Sequence, residues 1–277
     1  MTTPDAWLAP AKLNLFLHIT RQREDGMHEL QTVFQFLDMC DELSFKLRED
    51  DKIVLRGGIE GVADEDNLVV RAARALQTAC ESSVGVDISL EKRLPAGGGL
   101  GGGSSDAATT LVALDRLWGC GLSKDKLAEI GLKLGADVPI FVHGHAAWAE
   151  GIGEKFEPVE VPEPWFVVIQ PEIEVSTAEI FSAPELTRDC PPITIRDFLS
   201  GQATNVCEPV VRQRYPDVGK ALKWLEKHAE ASMTGTGSCI FAAIDTQAQA
   251  IDILSKIPTR WKGFVAKGCN RSPLYTK

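Results

Sequence analysis

The sequence has no apolar run approaching the roughly eighteen residues that a membrane-spanning helix needs, so no spanning segment is expected. Its first five residues, Met-Thr-Thr-Pro-Asp, have neither the basic nor the apolar region of a secretory leader. It lacks a surplus of positive charge. The formal net charge is −10, which argues against a broad nucleic-acid-binding face. An acidic chain that binds a nucleotide must gather cations locally, and Arg71, Arg74, Lys92 and Arg93 are near enough in sequence to do so. No Cys-x-x-Cys pair occurs among the seven cysteines, so they are expected to be free thiols in a reducing, cytoplasmic compartment. His143-Gly-His145 is the only close histidine pair. It has no companion ligands in sequence and reads as a surface or packing pair, which leaves any metal ligands unknown.

What is present is an ordinary soluble composition, 44% hydrophobic and 25% charged. At 277 residues the chain can bury a sizeable core in two domains. Its most distinctive stretch is Leu94-Pro95-Ala96-Gly97-Gly98-Gly99-Leu100-Gly101-Gly102-Gly103-Ser104-Ser105-Asp106. Val84–Leu90 before it alternates as a strand does, and Ala107–Trp118 after it is patterned as a helix. Glycine tolerates positive φ and lets backbone N–H groups approach an anion, and a helix N-terminus adds unpaired donors. A phosphate loop is therefore favoured over a mobile surface loop. It is not a Walker A sequence, because no lysine precedes Ser104.

Elsewhere, Ala11–Ile19 alternates with period two, with Lys12, Asn14, Phe16 and His18 on one face and Leu13, Leu15, Leu17 and Ile19 on the other. The polar face fits an exposed strand surface as well as a site. Strands are predicted over 30–37, 43–47 and 52–56, and a helix runs to Cys80 behind the acidic cap Asp64–Asn67. Ser123 reads as the N-cap of a helix over 124–134. Asp137, two residues before Pro139, reads as a solvated turn aspartate, followed by an apolar strand over 140–142 and another over 146–150. The Pro-rich stretch 158–164 marks a boundary, giving an N-terminal domain over 1–160 and a C-terminal domain over 161–277. In the second, strands over 165–170, 239–244 and 263–267 interleave with helices within 177–181, 193–199, 208–228 and 246–257, which predicts an α+β fold. Thr234-Gly-Thr-Gly-Ser238 is either a tight turn or a second loop approaching the site.

Taken together, the glycine stretch, Pro10-Ala-Lys-Leu-Asn14, Asp25-Gly-Met-His28, Asp66-Asn-Leu68, Gly135-Ala-Asp-Val-Pro139, Thr234-Gly-Thr-Gly237 and Ala266-Lys-Gly-Cys-Asn-Arg-Ser-Pro273 resemble the GHMP kinases. Within that superfamily they resemble the 4-diphosphocytidyl-2-C-methyl-D-erythritol kinase family, over essentially the whole chain. The resemblance implies a two-domain fold with the active site in the interdomain cleft. It implies phosphoryl transfer from ATP, with Mg²⁺, to the 2-hydroxyl of a cytidine diphosphate methylerythritol, a small-molecule substrate. Lys12 and Asp137 match its catalytic pair, with the aspartate as base and the lysine stabilising charge on the alcohol oxygen. Residues 95–105 match its triphosphate loop. Asn67, Leu68 and Lys92 match neighbours of the adenosine, Asn14 would orient substrate hydroxyls, and His28 and Phe181 match the cytosine-binding residues. Met27 stands where the family often has a stacking tyrosine, and offers a polarizable sulfur instead. Two other readings remain open from the sequence: a GHMP kinase acting on another alcohol such as homoserine or mevalonate, and a nucleotide-binding sensor without catalysis. The oligomeric state is not legible.

Overall fold

The computed structural model describes residues 6–57 and 63–276. Met1–Asp5, on which the absence of a leader was read, lies outside the described residues. The first half runs β1 (Trp7–Gln22), β2 (His28–Arg48), β3 (Ile53–Gly57), α1 (Leu68–Ala79), β4 (Gly85–Glu91), α2 (Gly102–Trp118), α3 (Lys124–Leu132), α4 (Val138–His143), β5 (Ala147–Glu150) and β6 (Lys155–Pro158). The second runs β7 (Trp165–Pro171), α5 (Thr177–Phe181), α6 (Ile195–Leu199), α7 (Glu208–Arg214), α8 (Pro216–Leu225), β8 (Ala231–Met233), β9 (Ile240–Ile244), α9 (Gln247–Ser255) and β10 (Trp261–Cys269). One ten-stranded sheet orders them β3-β4-β2-β10-β7-β9-β8, with β1 on β2, and β5 between β2 and β6. Its halves join where β10 pairs with β2, at Gly268 with Leu37 and Cys269 with Phe36. No described helix is long and apolar enough to cross a membrane.

Each half buries its own core. Helices α1 to α4 lay Val70, Leu76, Leu111, Leu114 and Phe141 against Phe36, Leu43 and Ile88 of the sheet. Helices α5, α7, α8 and α9 do the same with Ile180, Val211, Leu222 and Ile253 against Val167, Ile169 and Ile240. A third cluster, including Leu13, Leu37, Leu100, Phe166, Val168 and Cys239, lies between them. The glycine stretch is fixed there by Leu94 and Leu100, 4% and 1% exposed.

Several elements differ from their sequence patterns for physical reasons. β2 is one strand where two were predicted, because the charges that seemed to interrupt it are satisfied in place. Asp41 accepts the backbone N–H groups of Arg93 and Leu94 at 2.5 and 2.7 Å and pairs with Lys92, and Glu42 pairs with Arg93. Residues 140–142 are helical, within α4. A six-residue apolar segment carries too little periodicity to separate helix from strand, and Pro139 in its first turn and Gly144 at φ 75° just beyond its end favour the helix. The predicted helix over 208–228 breaks at Tyr215–Pro216, where proline removes a backbone donor. The three-residue strand β8 was too short to read. The free-thiol expectation fails at one pair: the packed ends of α1 and α2 bring Cys80 and Cys120 together as a disulfide, while Cys40, Cys190, Cys207, Cys239 and Cys269 are free.

Candidate active site

The strand that opens the chain supplies the centre of the site. Its alternation holds through Lys12 and Asn14, then slips: the register with β2 shifts between Asn14 and Leu17. Such a bulge turns the next side chains to the other face. Lys12, Asn14 and Leu17 therefore line one cavity of about 870 Å³, while Phe16 packs away from it against Trp148 and Phe198. The polar face is not an exposed strand surface. Lys12 is 3% exposed and Asn14 5%.

A buried ammonium must be paired. The Lys12 Nζ donates to Asn14 Oδ1 at 2.5 Å, lies 3.4 Å from Asp137 Oδ2, and sits over the Phe34 ring, 5.2 Å from its centroid. Asn14 is fixed in turn: its Nδ2 donates to Thr32 Oγ1 at 3.0 Å, and its backbone N–H donates to Thr234 Oγ1 at 2.9 Å. Asp137 stands at the N-cap position of α4. A carboxylate there normally turns back onto the first-turn N–H groups, but this one makes no capping bond. It faces Lys12 instead, with 37% of its side chain open. The solvated-turn reading is thus replaced by an accessible carboxylate beside a buried ammonium.

The glycine stretch forms one wall. Gly99 and Ser104 line the cavity, and Gly97 and Gly99 line an adjoining one. Gly102, Gly103, Ser104 and Ser105 form the first turn of α2, so the helix begins inside the stretch, five residues earlier than its apolar pattern. Leu100 contributes its carbonyl, which accepts the Lys12 backbone N–H at 3.0 Å. The second glycine turn is the loop that approaches the site. Thr234 Oγ1 reaches Gly99 O at 3.3 Å, Cys239 N–H donates to Gly98 O at 3.1 Å, and Thr236 pairs its hydroxyl with Thr177 at 2.9 Å. Gly99 has φ +77°, and a Cβ there would meet Thr234 O at 2.5 Å. Gly99→Ala is expected to push the two loops apart. It should lower stability by about 1–3 kcal/mol, from the forced backbone conformation and the clash together, which thermal unfolding measures.

Asn67 and Leu68 lie outside the cavity lining, at the start of α1. The Asn67 Oδ1 caps that helix by accepting Val69 N–H at 3.0 Å, and Leu68 Cδ1 is 3.6 Å from where a Gly103 Cβ would be. The N-termini of α1 and α2 thus stand side by side. Lys92 points between two buried carboxylates, reaching Asp106 Oδ2 at 2.8 Å and also pairing with Asp41. Burial alone would lower the Lys92 ammonium, but the two carboxylates outweigh it and hold it above its ordinary value. Burial pushes Asp106 up, to about 7, against the pull of Lys92. Arg93 is taken up by Glu42 and Glu91, so it adds no free charge to the loop. Lys92→Met is expected to cost about 3–5 kcal/mol, because it strands two buried acids. A denaturant titration measures this, and adding Asp106→Asn should recover part of it.

At the far end of the cavity the residues are Gln22, Met27, His28, Phe181 and Arg188. His28 stacks on Phe181, centroids 5.1 Å apart and planes at 29°. Met27 is 47% exposed. Its backbone is spent on the turn, with its N–H donating to Asp25 Oδ1 at 3.0 Å and its carbonyl accepting Arg23 N–H at 2.8 Å. Arg188 was not assigned from the sequence, which left the Thr234 turn open between a tight turn and a loop approaching the site. Arg188 stands in an irregular loop with no local pattern to single it out.

Residues 67–145 match the family model described as GHMP kinases N terminal domain, and residues 194–263 that of GHMP kinases C terminal. A 4-diphosphocytidyl-2-C-methyl-D-erythritol kinase of Nitrosococcus oceani is 58% identical over 268 residues, covering 97% of this chain and 96% of the relative. The chain belongs to the 4-diphosphocytidyl-2-C-methyl-D-erythritol kinase family. A member from Pseudomonas aeruginosa PAO1 is 56% identical, over 97% of this chain and 95% of its own. A crystal structure of a 4-(cytidine 5'-diphospho)-2C-methyl-D-erythritol kinase superposes with a TM-score of 0.84 at 30% identity, covering 95% of this chain and 98% of that one. A homoserine kinase from Cytophaga hutchinsonii shares the fold, with a TM-score of 0.69 at 18% identity over 98% and 97% of the two chains. The two-domain GHMP fold read from the sequence is therefore the fold of this kinase family member.

Proposed function

We propose that this chain transfers the γ-phosphoryl group of ATP to the 2-hydroxyl of the methylerythritol part of 4-diphosphocytidyl-2-C-methyl-D-erythritol, a step toward isoprenoid precursors by the non-mevalonate route, in the cytoplasm. The observation that carries the reading is the Lys12–Asp137 pair, 3.4 Å apart. It lies in a cavity with the glycine wall at one end and the His28–Phe181 stack at the other.

A tertiary alcohol is a poor nucleophile at neutral pH. Asp137, partly open to the cavity, accepts its proton as the bond to phosphorus forms. Lys12, held on β1 by Asn14, stabilises the charge that develops on the alcohol oxygen. The remaining hydrogen-bonding capacity of Asn14 is available to the substrate hydroxyls. Phosphoryl transfer is mostly positioning and neutralisation, so two chemically active side chains suffice. The backbone of residues 95–105 and the α2 N-terminus cradle the triphosphate, with Asn67, Leu68 and Lys92 on the adenosine side.

Among the described residues no group of three or more His, Cys, Asp or Glu side chains could hold a metal. Mg²⁺ needs none, since it takes one or two protein ligands together with substrate phosphates and water. The start of α2 fits that demand. Ser104 lines the cavity, and Ser105 Oγ and Asp106 Oδ1 are buried without a hydrogen-bond partner. Ser104, which faces the cavity, is the residue that would hold the ion, and the ion would neutralise phosphate charge. At the far end, His28 hydrogen-bonds the cytosine, Phe181 stacks on it, and Met27 gives a sulfur contact.

The test is an ADP-release assay with ATP and Mg²⁺. The cytidine conjugate, free methylerythritol and homoserine serve as acceptors in parallel. Turnover with the cytidine conjugate alone is expected. Turnover only with another alcohol overturns the substrate, and none with any acceptor, in a folded chain that binds ATP, overturns the kinase reading.

A further inference from the structure

Arg188 makes an unusual set of contacts at the base-binding end of the cavity. Its Nε donates to His28 Nε2 at 3.1 Å. Its Nη1 donates to Leu186 O at 3.0 Å, and its Nη2 to Phe181 O and Ala183 O, each at 2.8 Å. One side chain thus ties β2, which carries His28, to the end of α5, which carries Phe181. No carboxylate forms an ion pair with it among the described residues, so its fork is spent on carbonyls and the imidazole.

A guanidinium has only donors and does not give up its proton in proteins. Whatever faces its Nε must therefore be a lone pair. At His28 that fixes Nε2 as the unprotonated nitrogen and leaves the ring's single proton on Nδ1. Burial, and then the Arg188 charge, push His28 below the ordinary histidine range, in agreement with a neutral ring.

We propose that Arg188 is a positioning residue for base recognition: it holds His28 as the neutral, Nδ1-protonated tautomer and locks it against the Phe181 segment. The cavity end then presents one fixed N–H donor rather than two interchangeable ring states. Set against ring position 3 of a pyrimidine, a fixed donor suits cytosine, whose N3 is an acceptor, and disfavours uracil, whose N3 carries a proton. The inference rests on the proposed cytidine substrate for its consequence, but the tautomer itself can be read in the free protein.

Two measurements test it. The first is the imidazole ¹⁵N spectrum of the full chain without ligand. His28, assigned by comparison with His28→Asn, is expected to show a protonated Nδ1 and a bare Nε2 at neutral pH. A ring protonated on Nε2, or on both nitrogens, overturns the proposal whatever the substrate. The second is Arg188→Ala in the ADP-release assay. KM for the cytidine conjugate is expected to rise about tenfold or more, with kcat within about twofold and KM for ATP unchanged. The preference for the cytidine over the uridine conjugate should fall, and His28 should lose its single tautomer. Arg188→Lys keeps the charge without the fork and should restore less than half of the lost kcat/KM. Unchanged KM in a folded Arg188→Ala variant, or equal losses in kcat and in both KM values, overturns the positioning role. Absence of turnover in the unmodified chain overturns the substrate reading instead, and leaves the tautomer measurement to decide the rest.

Discussion

Replacing Asp137 by Asn is expected to lower kcat by about 10²–10⁴, the usual contribution of a positioned general base, while ATP still binds. The change keeps the shape of the side chain and removes only its ability to take a proton. Little else should move. Asp137 makes no capping bond to α4, and 37% of its side chain is open, so the fold does not depend on it. The ammonium it faces stays satisfied by Asn14. Thermal unfolding within a degree or two of the parent, unchanged ATP titration and collapsed turnover form the expected pattern. A variant that keeps near-parental kcat would exclude Asp137 as the base.

Lys12→Ala is expected to lose about 10²–10³ in kcat, as when one electrostatic stabiliser of a transition state is removed. It differs from the first in also touching the fold. Lys12 is buried over Phe34 and holds Asn14 Oδ1, so truncation leaves a cavity and an unpaired acceptor worth about 1–3 kcal/mol. Lys12→Met fills most of the space without the charge. Both variants should lose kcat alike, and Lys12→Met should regain part of the stability, which separates chemistry from packing. Because lysine and aspartate act on the same proton and oxygen, the double variant should be about as impaired as the worse single one. A mild effect in both single variants would reduce Lys12 to a packing residue.

Much of the local structure is legible in the sequence. The alternation of β1, the glycine stretch between a strand and a helix, and the Ser123 cap each depend on residues a few positions apart. The fold class follows from how such segments alternate, and the family resemblance marks Lys12 and Asp137. Other features have no local signature. The bulge that carries Leu17 to the Lys12 face is set by pairing with β2. The continuity of β2 through Asp41 and Glu42 depends on Lys92 and Arg93, on another strand's exit.

The sequence by itself determined the strand–glycine–helix order, and with it a backbone able to approach a phosphate, because glycine's freedom and side-chain periodicity act within a few residues. Tertiary structure alone decided what surrounds that backbone. It clamps Gly99 with Thr234, hangs Asn14 from a hydroxyl 220 residues away, and brings Arg188 to His28 across 160 residues. The physical reason is the cost of isolation: a buried ammonium, amide or imidazole must find partners. Which partners it finds depends on how the sheet and its helices close over it.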